Sequence, residues 1–314
     1  MLTVVPKAAA VGLLAVLVMG GGLCPRSSPG PDDDQTGLYA YIRREGSGSA
    51  MYVANREGSI FNQIGLGLSP PLNPTDGVSL SPERWRVVFA MPDVAGGNND
   101  IFVVNRDGTA LLDLTQTPDT NETVPDWSRA GNSIAYEADG DIWIVRTDGS
   151  GKRQVTQTPG IAEADPSWSP DGARIVYTLN PDSPNSDIEA INVDTLERVP
   201  IAADANYDEY TPSWSPSGTR IAFAARPLTG SAMGEEVDVS VINIDGTGRR
   251  NVTHAQGDVL CLGPAWAPDE SRLAFRGTRR GETNSDIYEI SPAGEGLRPL
   301  VYTTQASETY VDWR

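Results

Sequence analysis

The phrase "DPSWSPDGARIVY", residues 165–177, restricts what this chain can become because it does not occur only once. It returns as "TPSWSPSGTRIAF" from Thr211 and "GPAWAPDESRLAF" from Gly263, and in worn form as "VPDWSRAGNSIAY" from Val124. A more degraded copy, "SLSPERWRVVF", has Leu80 in place of the tryptophan, and "YVDWR" at 310–314 supplies one further mark. Measured at Leu80, Trp127, Trp168, Trp214, Trp266 and Trp313, the spacings are 47, 41, 46, 52 and 47 residues. Self-similarity at such a period, in units made of strands and turns, is the signature of propeller blades.

A second phrase recurs inside each unit, for example "NDIFVVNRDGT" from Asn99, "GDIWIVRTDGS" from Gly140 and "SDIYEISPAGE" from Ser285, with a first copy, "SAMYVANREGS", from Ser49. One unit parses into four short strands, "DPSWS", "RIVYT", "DIEAINV" and "ERVPIA", each bounded by turn residues and rich in β-branched or aromatic side chains. The tight links "SPDG" and "DG" carry the Pro, Asp and Gly that such turns demand. The chain's 32 Gly and 24 Pro suit many short strands and argue against long helices. The first folded segment, "GLYAYI", matches the second strand of a unit and the last, "YVDWR", matches the first strand. The expectation is an all-β, six-bladed β-propeller over residues 37–314, closed by pairing of the C-terminal strand with the N-terminal blade.

Ahead of it, Lys7 precedes the apolar run "AAAVGLLAVLVM", which has the build of a secretory signal and is short for a membrane span. Residues 1–23 read as a signal peptide and 24–36, rich in Gly, Pro, Ser and Asp, as a disordered linker or tether. Cys24 follows the apolar run where a lipoprotein is acylated, although Leu23 is larger than such signals prefer; lipidation at Cys24, plain secretion and a retained N-terminal anchor all remain open. The expected location is periplasmic or at the cell surface. Cys261 is the one other cysteine, so the domain must be held by its core rather than by disulfides.

The repeated unit resembles the TolB-type propeller, a relative of WD repeats, over residues 37–314. The resemblance implies a protein-binding platform, although such units also occur in peptidases and lyases. The expected departure from that family is a stand-alone propeller, without the separate α/β domain that precedes the propeller in TolB. A formal charge of −18 repels phosphate backbones, so nucleic acid is not an expected partner. The single histidine, His254, excludes a cage of imidazoles, and no nucleophile elbow, HExxH or P-loop is present. The expected function is therefore an exported, non-catalytic and monomeric module that docks an envelope protein or peptide. The alternative is a carbohydrate-binding or carbohydrate-active propeller, with Tyr207 and Tyr210 flanking Asp208 and Glu209 as its most sugar-like cluster.

In an up-and-down blade the tight turns mark one face of the disc, and the long variable connections gather on the other, where binding residues are usually displayed. Five residues before the mark stand Glu122, Glu163, Glu209 and Glu308, with Thr75 and Cys261 in the remaining units. Repeat logic places these four carboxylates around one rim of the channel, joined by Asp165 two residues further along the same side of its strand. There they could bind a basic peptide or Ca²⁺; the competing reading is that they accept hydrogen bonds and tie blades together. No other cofactor is expected. Arg276, Arg279 and Arg280 form a basic group that could orient an acidic patch of the partner. The Asp before each third strand (Asp100, Asp141, Asp187, Asp238, Asp286) reads as a turn former.

Overall fold

Each repeat becomes one blade because its strands are short and the tight turns after the first and third of them reverse the chain at once. The computed structural model describes residues 37–55, 60–65, 72–93, 97–181, 183–228, 236–254, 259–303 and 305–314. The expected signal peptide and linker, with Cys24, lie outside the described residues. Among those described, the strands form six four-stranded antiparallel sheets, five of them built from consecutive strands. The sixth, blade 1, takes its inner strand Ser307–Trp313 from the far end of the sequence and lays it against Leu38–Glu45. The ring closes as expected: Tyr39 opposes Trp313, Arg43 opposes Glu308, and Leu38 and Arg314 exchange backbone hydrogen bonds of 2.8 and 3.0 Å.

The inner strands of blades 2 to 6 are Asp76–Leu80, Glu122–Trp127, Glu163–Trp168, Tyr207–Trp214 and Val259–Trp266. Their tryptophans, and Leu80, are buried between blades. Trp168 of blade 4, for example, packs with Ala135, Ile142 and Val155 of blade 3. Removing 150–250 Å² of each ring from water is worth about 4–6 kcal/mol as an upper estimate. Arginines of the preceding blade cover three of the rings, with Arg86, Arg174 and Arg220 at 4.8, 5.2 and 4.6 Å from the centroids of Trp127, Trp214 and Trp266.

In blades 2 to 6 the turn after the marked position takes a left-handed residue four positions on. Gly172 and Gly218 supply it at φ 70° and 73°, and the worn copies hold Glu270 and Arg84 there at φ 57° and 60°. The architecture thus imposes the conformation where the residue does not favour it.

A second left-handed position lies inside the inner strands, three residues before the mark: Gly77, Val124, Asp165, Thr211, Gly263 and Tyr310 have φ between 47° and 69°. The ladder with the neighbouring strand shifts register at the same place in all six blades. This is a β-bulge repeated around the ring, and for β-branched Val124 and Thr211 it is a strained conformation. A Cβ on Gly77 would stand 2.6 Å from Pro125 Cδ, so blade 2 needs glycine there for space as well as for φ.

Candidate functional site

The bulges turn three successive residues of every inner strand toward the axis, so the channel is lined in tiers. Nearest the long-loop face come the bulge residues themselves. Next is a largely apolar ring of Val78, Pro125, Pro166, Pro212, Pro264 and Val311, and then a polar belt of Ser79, Asp126, Ser167, Ser213, Ala265 and Asp312. Together with Leu262 and Arg276 they enclose a cavity of about 250 Å³.

At the tight-turn end the belt knits neighbouring blades together. Its side chains reach the backbone of the next blade: Asp126 accepts from Trp168 N at 2.7 Å, Asp312 from Leu80 N at 2.7 Å and Ser79 from Trp127 N at 3.1 Å. Across them lies Arg314, which donates to Asp126 at 2.7 Å, to the Trp127 carbonyl at 3.0 Å, to Asp312 at 3.1 Å and to Ser79 at 3.2 Å. Burial raises the Asp126 carboxyl, and the Arg314 charge opposes that rise. Beyond this plug, only about 40 Å³ remains among Arg129, Arg314 and the tryptophans.

The mouth is different. Asp165 accepts from Thr178 Oγ1 at 3.0 Å, and burial holds its carboxyl above the ordinary range against that bond and one from the Thr211 N–H. Tyr310 donates to Asp76 at 2.6 Å, and Asp76 lies 3.5 Å from Arg44. Arg276, opposite Leu262 in the ladder, has a buried Nε with no hydrogen-bond partner. Burial pulls its pKa down, and the like charge of Arg44 adds to that.

The glutamates are not on the rim. Glu122, Glu163, Glu209 and Glu308 are at most 1% exposed, and each is enclosed in its own network. Thr117 donates to Glu122 at 2.7 Å, Arg198 to Glu163 at 3.2 Å, Arg43 to Glu308 at 2.8 Å, and Arg249 to Glu209. The physical reason is the bulge: an extra residue at Asp165 breaks the alternation, so Glu163 turns into the blade while Asp165 turns into the channel. Among the described residues no three His, Cys, Asp or Glu side chains converge as a metal site would require, so the four glutamates do not gather for a Ca²⁺ ion. Burial raises all four carboxyls, Glu209 to about 7 in spite of Arg249.

The basic group is likewise divided. Arg276 lies at the mouth, whereas Arg279, three positions along the same strand, faces the opposite side, where it donates to Tyr288 at 2.9 Å and lines a separate groove with Arg280 and Arg298. In the sugar-like cluster, Arg249 covers the Tyr207 ring at 4.3 Å and Arg226 pairs with Asp208. The repeated aspartates do more than form turns. Asp100 accepts from Thr117 N at 3.0 Å, Asp238 from Thr253 Oγ1 at 2.8 Å and Asp286 from Thr303 N at 3.2 Å, fixing the residues that follow the outer strand. His254 is exposed beside Asp238. The Cys261 thiol is buried, which pushes its pKa up to about 12 and leaves it inert. Arg44, Thr211, Tyr310 and Arg314 went unread in the sequence; the signal for Thr211 and Tyr310 was a shared register with Gly77 and Gly263.

A family profile described as "TolB beta propeller domain" matches residues 28–259 and 141–313. Among solved structures, TolB from Acinetobacter baumannii aligns with a TM-score of 0.73 at 16% identity, over 88% of this chain and 66% of that one. The putative TolB from Agrobacterium tumefaciens aligns at 0.62 and 13% identity, over 88% and 99% of the two chains. Oligogalacturonate lyase from Vibrio parahaemolyticus aligns at 0.54 and 16%, over 83% and 72%. At these identities the likeness is one of fold. No curated protein matches the sequence. With its six repeated units closed into a ring, and with the profile spanning them, the chain belongs to the TolB β-propeller family.

Proposed function

We propose that this protein is an exported, non-catalytic docking module whose channel mouth receives an extended segment of a partner protein of the cell envelope. The observation that carries this reading is the asymmetry of the channel: at one end, beside Arg314, it narrows to about 40 Å³, and the other opens onto a cavity of about 250 Å³ with an apolar ring below a few polar groups. A pocket of that composition takes an apolar or aromatic side chain and orients the backbone around it. The leader-like N-terminus supports export, and membership of the TolB propeller family supports a binding role over catalysis. The carbohydrate alternative is weaker because the Tyr207 ring is already covered by Arg249.

The test is site-specific photocrosslinking in cells. A photoreactive residue at Thr211, in the mouth, is expected to yield discrete protein adducts, whereas one at the exposed Asp171, on the tight-turn face, yields none. Adducts of equal yield from both positions, or from neither, would overturn the reading.

A further inference from the structure

Beside the channel mouth, between blade 6 and blade 1, lies a cleft of about 400 Å³ whose lining is unusual for a protein of net charge −18. Arg44 and Arg276 bring two guanidiniums to it, and the rest of its wall is hydroxyls and amides such as Asn284, Gln305, Ser307 and Thr309, with no carboxylate among the lining residues. Arg276 also lines the channel cavity, so the two spaces share a wall.

The two arginines are in different conditions. Arg44 is engaged, donating to the Thr75 carbonyl and lying 3.5 Å from Asp76. Arg276 makes no ion pair with any described residue, and its Nε is buried and unbonded. Leaving a charged donor buried without a partner is costly, and a second like charge nearby adds to the cost. Nothing in the blade packing demands an arginine here. The repeat places Thr178 and Ala224 at the corresponding point of blades 4 and 5, opposite Ala164 and Tyr210.

We propose that this cleft is a carboxylate-binding subsite, in which the Arg276 guanidinium meets a carboxylate end-on through its two terminal nitrogens while Arg44 supplies the second positive charge. The inference rests on the docking function above and deepens it: the segment that enters the mouth carries an acidic side chain, or a free C-terminus, next to the group held in the channel. A carboxylate fits better than a phosphate because the protein's overall negative field disfavours a doubly charged ligand.

The probe is N-acetyl-glutamate amide, titrated into the full chain while the arginine Nε–H resonances are followed by NMR, with N-acetyl-glutamine amide and inorganic phosphate as parallel arms. The expected result is a saturable millimolar shift of the Arg276 resonance with the glutamate probe alone. By calorimetry, Arg276→Gln then weakens binding by about tenfold or more. Arg276→Lys, which keeps the charge and loses the fork, also weakens it, and thermal stability is unchanged in both. A shift of equal size with the glutamine probe, stronger binding of phosphate, full binding by Arg276→Lys, or no shift at all would each overturn the proposal. Because the probe is not the partner, a negative result here leaves the crosslinking test of the docking function standing, and the reverse also holds.

Discussion

Arg314 and Arg276 both approach the channel of one propeller, yet their surroundings differ in almost every respect. Arg314 meets two carboxylates, a hydroxyl and a carbonyl within 3.2 Å, and the three side-chain acceptors belong to the belt that joins blade to blade. Arg276 meets a tyrosine and another arginine, and its Nε has no acceptor. A buried charge whose partners are all internal is a fastener. One whose partners are missing is held in place by the rest of the fold and is free to take them from outside.

The largest effect expected from this contrast comes from Arg314→Met. Removing the guanidinium takes away the ion pairs of Asp126 and Asp312 and leaves Arg129 as the nearby cation, and breaking such a buried network is expected to cost about 3–5 kcal/mol in urea unfolding. A second substitution, Asp126→Asn, should recover part of that loss. If Arg314→Met stays within about 1 kcal/mol of the parent, the plug is not a fastener and the contrast collapses.

Much of this was open to reading in the sequence, and the limit has an identifiable cause. Blade number, strand order and ring closure followed from the tryptophan register and from the complementary ends "GLYAYI" and "YVDWR", because those features are periodic along the chain. The site was not periodic in the same way. Val124 and Thr211 look like ordinary strand residues, and nothing in their chemistry announces φ of 47° and 51°. One hidden residue per inner strand flips the faces, so alternation placed Glu163 beside Asp165 when the fold sends them apart. Arg44 escaped for another reason: its partners, Thr75, Asp76 and the cleft wall from blade 6, are remote in sequence.

Glu209 sharpens the comparison from the acidic side, because it is a buried carboxylate with a partner, Arg249, that compensates it incompletely. Its carboxyl moves from an ordinary 4.5 to about 7, chiefly through burial. A raised folded-state pKa means that its stabilising contribution is complete below about pH 4.5 and is lost as pH rises through about 7. The parent should therefore lose stability between those values, and Glu209→Gln should flatten that slope by about 1–2 kcal/mol, allowing for screening. Some slope will persist because Glu122, Glu163 and Glu308 are shifted in the same direction. Parallel parent and variant curves from pH 4.5 to 8 would mean that Arg249 keeps Glu209 ionised throughout.

The smallest effect is the most discriminating. If Arg276 is held at the mouth by the fold and not for it, Arg276→Met should leave the free protein's stability within about 0.5 kcal/mol of the parent or raise it slightly, since a buried unpaired donor is replaced by an apolar chain of similar length. The outcome expected for a fastener is the opposite, a loss on the scale of Arg314→Met. Thermal unfolding of the two variants side by side reads the difference directly, because each loses one guanidinium to the same side chain in the same channel. Should Arg276→Met prove as damaging as Arg314→Met, Arg276 would be one more blade contact, and the cleft would lose the guanidinium proposed to receive the carboxylate.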